Sequence, residues 1–522
     1  MKEVARKGLV LAYVDSMRTD MLRLAVGEGK APTFAKLLRR GVLVPDCVSS
    51  FPSVTPVASA EIATGVGSDR NWISGMNWYH RLERRYVEYG SSFEASRAFG
   101  LFRALYDLVY NMNLAHLNPA APTIFERLDD AGLRTASTPF LIYRGRHRHD
   151  VSLEGLVRRA VDVSGLKFHH GTWGPGELFY GDLYASRRVP CRPTSRPGTV
   201  DEYSACCGAE LAEQGLFDFL LLSLPDNDHY SHRHGPEAMA ESIGRADAAF
   251  AKLVAAAGGL DGFLTDYALI LMSDHAQSAV HRELPLVAEL GERWTVLQPS
   301  EDRPEEAQLA VSPTARAANV YLLPSGPDQV GHETARAALE AMEGIDVLAY
   351  VEVDGRPLVR HAPTPPPQGA AVVARRGGLE VRFRPGAGLT DLRGRSWEVS
   401  GDPAALDLEV SEGQLLSESY PAALERLWSA LSAPHAGDLV VSATLGYECV
   451  DWGGTSHVGG GSHGSLHRAD SLCPLLFCGC GPASAGEREQ WSLRDVAPAV
   501  LDHFGLGSPG SPPASSKVGA RA

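Results

Sequence analysis

Three near-continuous apolar runs end abruptly in acidic or imidazole residues, and this constrains the fold of the 522-residue chain more than any other feature. Gly8–Val14 runs straight into Asp15. Phe217–Leu224 gives way to Pro225-Asp226-Asn227-Asp228, and Tyr267–Met272 to Ser273-Asp274-His275. An apolar run without alternation suits a strand covered on both faces, as in a parallel sheet. In such sheets ligands gather beyond the carboxyl ends of the strands, where Asp15, Asp228, Asp274 and His275 all fall.

Helical patterns separate these runs. Ala31–Gly41 has proline at its start, basic residues in its last turn and glycine beyond. Pro236–Ala257 carries Met239, Ile243, Ala246, Phe250 and Leu253 at helical spacing before Gly258-Gly259. Ser492–Leu501 reads as a closing helix, and Leu439–Ala443 and Pro474–Phe477 as later core strands. The alternation predicts an α/β fold with a mostly parallel central sheet covered on both faces. Two stretches break it, about 80–207 and 297–417. Both read as insertions near the site, the second a small α+β subdomain with a proline-rich segment at Pro363-Thr364-Pro365-Pro366-Pro367. The tail from 506 to 522, rich in Gly, Ser and Pro, is expected to be disordered.

A net charge of −14 excludes a protein that coats bare nucleic acid, because such binding needs an excess of Lys and Arg. No apolar run approaches the ~20 residues of a membrane-spanning helix. The apolar segment after Lys7 ends at Asp15 with no cleavage-site pattern, so the expectation is a soluble, cytoplasmic protein without membrane attachment. The eight cysteines form no CxxC pair and read as buried thiols rather than a disulfide framework.

The chemistry concentrates in a few loops. Thr55, followed by Pro56 and a short helical pattern ending at Thr64-Gly65, is predicted to be a helix N-cap. A helix N-terminus offers N–H groups and positive dipole to a phosphoryl oxygen. A threonine hydroxyl needs a metal or a base to become a nucleophile. Asp228-x3-His232 can place both side chains on one metal, with Asp226 as the other candidate carboxylate. His229 and His234 read as outer groups. His463 sits in the glycine-rich run Gly459–Gly464, where backbone can approach a ligand closely. Asp15, Asp228 (or Asp226), His232, Asp274, His275 and His463 thus supply six nitrogen or carboxylate ligands, and Thr55 a hydroxyl. Such a mixed set suits two divalent cations, zinc foremost and manganese as the other choice.

The order and context of these motifs resemble the nucleotide pyrophosphatase/phosphodiesterase (type I phosphodiesterase) family of the alkaline phosphatase superfamily. The matching stretches are Asp15 after the first strand, Phe-Pro-Ser-Val-Thr55 leading into Thr64-Gly65, Asp228-x3-His232-x2-Gly235-Pro236, Ser-Asp274-His275, and His463-Gly464. The x3 spacing and the following Gly-Pro favour Asp228 over Asp226. The resemblance implies an alkaline-phosphatase-like α/β/α sandwich over residues 1–505, its core at about 8–80, 210–290 and 435–505. It implies one metal held by Asp15, Thr55, Asp274 and His275, and another by Asp228, His232 and His463. It further implies a phospho-threonine intermediate at Thr55 and a small phosphate-ester or nucleotide-like substrate. Family members often carry Asn three residues after the nucleophile, where this chain has Ala58. They also place one after the nucleophile helix, near Asn77, which would then donate to a phosphoryl oxygen.

Other readings share parts of this pattern. Cys191-Arg192-Pro193-Thr194-Ser195-Arg196 approaches the sulfatase nucleophile motif but has Ser195 where Arg belongs and lies far from Asp15. A serine-dependent phosphoglycerate mutase is disfavoured by Thr55. A phosphonate hydrolase or phosphomonoesterase on the same metal core is the alternative enzyme, and a metal-binding non-catalytic protein the alternative of another class.

Overall fold

The computed structural model describes residues 7–150, 171–301, 303–324 and 328–507. Most of the tail expected to be disordered, from 508 onward, lies outside the described residues. Eight strands build the central sheet: β1 (Gly8–Val14), β2 (Val42–Val48), β3 (Thr135–Ser137), β4 (Glu177–Tyr180), β5 (Tyr184–Ala185), β6 (Phe219–Leu224), β7 (Tyr267–Met272) and β8 (Leu472–Cys478). Their spatial order is β2-β8-β7-β1-β6-β3-β4-β5. β1 lies at the centre, parallel to β6 on one side and β7 on the other. β3 and β4 continue the parallel run, while β8 runs against both β7 and β2.

The unbroken apolarity of β1 has a direct structural cause. Successive side chains of a strand point to opposite faces. Leu9, Leu11 and Tyr13 enter one hydrophobic cluster with helix Thr55–Thr64 and helix Val496–His503. Val10, Ala12 and Val14 enter the other, with helix Met239–Ala256 and helix Val200–Glu213. Both faces are therefore covered, giving the α/β/α sandwich expected from the sequence.

A second, mostly antiparallel sheet follows the order Leu309–Thr314, Ala317–Leu322, Leu439–Ala443, Ile345–Val353, Ala371–Arg376, Leu379–Asp391, Gln414–Ser417, Leu408–Ser411. Leu439–Ala443 was expected in the central sheet and instead pairs with Ala317–Leu322 and Ile345–Val353. A five-residue apolar run signals a buried strand but not which sheet buries it. Conversely, β3 and β4 come from the stretch whose periodicity was unreadable, because strands of three and four residues are too short to show one.

The cysteine expectation needs correction at one pair. Cys191 and Cys206 form a disulfide, with Cα atoms 5.7 Å apart. The other six are free, and five of them are buried. The near-miss sulfatase motif is thus spent on a cross-link.

Candidate active site

The carboxyl ends of β1, β6 and β7 and the loop before β8 converge on one cluster. Asp15 leaves β1 and is buried against Asp274 and His275, which follow β7; His275 Nε2 lies 3.2 Å from Asp274 Oδ2 and 3.8 Å from Asp15 Oδ1. The ligand-type atoms of these three residues all lie within 4.8 Å of one another. The same holds for Asp228, His275 and His463. The imidazoles of His275 and His463 stack at 3.9 Å between ring centres. Asp228 then reaches His463 Nε2 at 3.7 Å and His232 Nε2 at 3.4 Å.

Asp228 and His232 share the short helix Asp226–His234, one turn apart, so both side chains project from one face. Asp226 faces elsewhere: its carboxylate accepts the backbone N–H groups of Gly198 and Asp201. The carboxylate turned toward the imidazoles is Asp228.

Thr55 completes the cluster. Its Oγ1 lies 3.4 Å from His275 Nε2. The helix begins one residue earlier than expected: Val54 occupies the N-cap, Thr55 is the first helical residue, and no side chain caps the helix. The Thr55 hydroxyl is thereby left free of a capping bond. The strand before it is stapled to the His463 loop, because Ser53 O accepts His463 Nδ1–H at 2.8 Å and Ser53 Oγ accepts Gly464 N–H at 3.1 Å.

Outer contacts set the imidazole tautomers. His463 Nδ1 donates to Ser53 O, and His232 Nδ1 donates to Gly461 O at 2.8 Å. In each case Nε2 faces Asp228 while Nδ1 is held by a backbone carbonyl, an outer contact also found in metal-ligating histidines. Tyr13 donates its hydroxyl to Asp274 Oδ2 at 2.9 Å.

The electrostatics match a cation site. Burial pushes the Asp274 carboxyl up to about 6, and burial together with Asp274 and Asp228 holds Asp15 well above the usual carboxylate range. Burial lowers His275 to about 4 and His463 to about 3, keeping both rings neutral. Against its own burial, Asp228 is held well below its ordinary value by His232, and His232 is raised by Asp228 to about 9. Three crowded carboxylates beside two neutral imidazoles, with His232 paired to Asp228, form a donor set for divalent cations.

Asn77 is not brought to this cluster. It sits buried in the hairpin strand Asn77–His80, its amide nitrogen donates to Pro313 O, and it does not line the active-site cavity. A role as phosphoryl-oxygen donor is not met by this placement.

Several site residues escaped the sequence. Ser16, at φ +58° directly after Asp15, donates to Asp228 Oδ1 at 2.6 Å and lies 3.2 Å from His275 Nδ1. Its hydroxyl thus bridges the two groups. Gln277 donates to the same Asp228 oxygen at 2.5 Å. Glu448 accepts His457 Nδ1 at 2.8 Å and Ser462 Oγ at 2.6 Å, and the His457 ring lies 4.0 Å from that of His232. Ser16 and Gln277 could have been found by proximity to Asp15 and His275; Glu448 carries no local signal.

The cluster opens on a cavity of about 960 Å³ lined by Thr55, Asp228, His232 and His463 and by residues of the 80–116 segment. The model of the type I phosphodiesterase / nucleotide pyrophosphatase family matches residues 9–356, a stretch holding every proposed ligand except His463.

The chain belongs to that family.

It is accordingly a hydrolase of phosphoester bonds, of metallohydrolase type. Among solved structures it is similar to the phosphonoacetate hydrolase of Sinorhizobium meliloti 1021 in complex with phosphonoformate, at 17% identity and a TM-score of 0.53, covering 95% of this chain and 96% of that one. It is also similar to murine ectonucleotide pyrophosphatase/phosphodiesterase 5, at 13% identity and a TM-score of 0.54, covering 97% of each chain. The murine protein has further been solved as an inactive threonine-to-alanine variant in complex with AMP, at a TM-score of 0.53 and 13% identity over 97% of each chain. At such identities these likenesses establish the fold. No curated protein sequence matches the chain.

Proposed function

We propose that the protein cleaves phosphodiester or pyrophosphate bonds through a covalent phospho-threonine intermediate at Thr55, with two divalent cations as cofactors. The observation that carries this reading is the uncapped Thr55 hydroxyl at a helix N-terminus, 3.4 Å from His275 and open to the cavity. The inactive threonine-to-alanine variant of the murine relative supports it.

Asp15, Asp274, His275 and Thr55 would hold one cation and Asp228, His232 and His463 the other, with His275 placed between the two groups. Bound there, the cations would supply Lewis-acid stabilisation of the phosphoryl charge and lower the pKa of an adjacent hydroxyl. Thr55 Oγ1 gives up its proton to solvent and attacks phosphorus in line; the new O–P bond forms as the bond to the leaving oxygen breaks, and the leaving group departs with that bond's electron pair. Water then attacks the same phosphorus, the Thr55–phosphorus bond breaks, and Thr55 recovers a proton. The first-turn N–H groups of helix Thr55–Thr64 and its dipole stabilise a phosphoryl oxygen throughout. Ser16 and Gln277 hold the Asp228 carboxylate, and the Ser53–His463 bond fixes the nucleophile relative to the ligands.

The test compares bis-p-nitrophenyl phosphate, p-nitrophenyl phosphate and thymidine monophosphate p-nitrophenyl ester, with zinc or manganese, with a chelator, and with Thr55→Ala. The reading requires metal-dependent diester cleavage that exceeds monoester cleavage and is lost in the variant. Monoester preference would instead make it a phosphatase. No turnover of any ester while two metals bind would favour a phosphonate hydrolase or a non-catalytic metal protein.

A further inference from the structure

Thr55 and His463 stand far apart in sequence, on chain segments 49–55 and 461–471, and the site needs both held in one register. The segments touch through an isolated bridge between Ser53 and Gly464, and Ser53 Oγ donates to Ser465 O at 3.0 Å. A second tie comes from outside the central sheet. Helix Ala423–Ser432 packs Leu424, Leu427 and Leu431 into the cluster beside the second sheet, and the same helix carries Arg426, 2% exposed. Arg426 Nε and Nη2 donate to Ser50 O at 3.2 and 2.9 Å. Its Nη1 donates to Leu466 O at 2.8 Å and to Pro421 O at 3.2 Å. Nη2 also reaches Ser471 Oγ at 2.7 Å and Ser465 O at 3.5 Å. The guanidinium lies 5.9 Å from the ring centre of Phe51.

Among the described residues every hydrogen-bond partner of this guanidinium is a carbonyl or hydroxyl oxygen. Burial pulls its pKa down to about 9, against the field of Glu61. Burying a cation without a carboxylate partner is unfavourable, and an apolar side chain of similar length is often the more stable occupant of such a place. A guanidinium alone presents several N–H donors in one rigid plane. Here that plane reaches Ser50, five residues before the nucleophile, and Leu466, three residues after His463, at the same time.

We propose that Arg426 is a positioning residue for the reaction, a staple through which the second-sheet unit fixes the nucleophile segment against the His463 segment. This rests on the two-cation reading of the site, in which Thr55 and His463 serve different cations. The staple sets the distance between the attacking hydroxyl and the cation held by Asp228, His232 and His463. It touches neither substrate nor cation.

Arg426→Lys keeps the positive charge and loses the planar fork. Competition with a chromogenic chelator should show one zinc weakened about 10-fold, the scale of a lost outer contact, and it should be the zinc that His463→Ala also weakens. The other zinc should bind as in the unmodified protein. At saturating zinc, kcat for bis-p-nitrophenyl phosphate should fall on the order of 100-fold with little change in KM, the cost of a ~1 Å misplacement. Hydrogen exchange of the metal-free protein should quicken in segments 49–54 and 461–466 and stay slow in β1, β6 and β7. Equal weakening of both zinc ions with faster exchange throughout the sheet would make Arg426 a general stabiliser and overturn the proposal. So would native zinc affinities and native kcat. Should Arg426→Lys not fold, Ser471→Ala decides: it removes one acceptor of the guanidinium and should weaken the same zinc about threefold, and equal weakening of both or of neither would overturn the proposal. An unmodified protein that binds fewer than two zinc ions would defeat the two-cation reading, and this inference with it.

Discussion

Glu88 offers a worked test of the electrostatics around the cavity. It lies in the hairpin strand Arg85–Glu88, is buried, and accepts the N–H of Gly90 at 2.9 Å and the hydroxyl of Ser91 at 3.1 Å. Burial raises its carboxyl from 4.5 to about 7, with the Ser91 and Gly90 bonds opposing the rise. An acid whose folded pKa is raised binds more protons folded than unfolded between those two values, so its contribution to stability falls as pH rises through that window and is level above it. Integrating the two titrations, the cost of the buried carboxylate grows by about 2 kcal/mol between pH 5.5 and pH 8. Glu88→Gln keeps the acceptor and removes the charge. For a chain of this length that change shifts Tm by ~2 °C. Differential scanning calorimetry of both proteins at pH 5.5, 7 and 8 should show the variant gaining on the native protein by that increment as pH rises. A Tm difference independent of pH would refute the assignment of a buried, raised carboxyl at Glu88.

Tyr13→Phe removes the hydroxyl donated to Asp274 and should weaken zinc binding 10- to 100-fold, as outer-shell losses do; competition with a chromogenic chelator measures it, and unchanged affinity would contradict the role. Glu448→Gln should loosen His457 and Ser462 beside His232, with a comparable loss of metal affinity read by the same titration and partial recovery of activity at high zinc. Cys191→Ser opens a cross-link spanning 15 residues and should cost ~3 kcal/mol of stability; reducing agent should lower the Tm of the native protein but not that of the variant.

The sheet and its reactive edge were legible because one physical rule writes both. Burial on two faces forces unbroken apolarity in β1, β6 and β7, and the first residues past such strands are where polar chemistry can reach solvent. Asp15, Asp274 and His275 were therefore readable from position alone. Spacing alone left Asp226 and Asp228 open and the family resemblance favoured Asp228; the structure shows Asp226 turned to the backbone of Gly198 and Asp201. Other features depend on contacts distant in sequence. Leu439–Ala443 is apolar enough for either sheet, and only its partners at Ala317–Leu322 and Ile345–Val353 decide. Asn77 lies a plausible distance beyond Thr55, but the hairpin directs its amide to Pro313. The Thr55 cap was misread by one residue, which matters because the shift leaves the hydroxyl uncommitted. The Cys191–Cys206 bond had no signature in spacing.

The central claim is covalent chemistry at Thr55, and trapping the intermediate tests it most directly. Enzyme loaded with zinc would be mixed with bis-p-nitrophenyl phosphate, quenched in acid within the first turnover, digested and mapped by mass spectrometry. The account predicts a p-nitrophenyl-phosphoryl adduct on the peptide carrying Thr55, accompanied by a burst of p-nitrophenol, with both absent in Thr55→Ala. An adduct on another residue, or steady diester hydrolysis by Thr55→Ala at an undiminished rate, would contradict it.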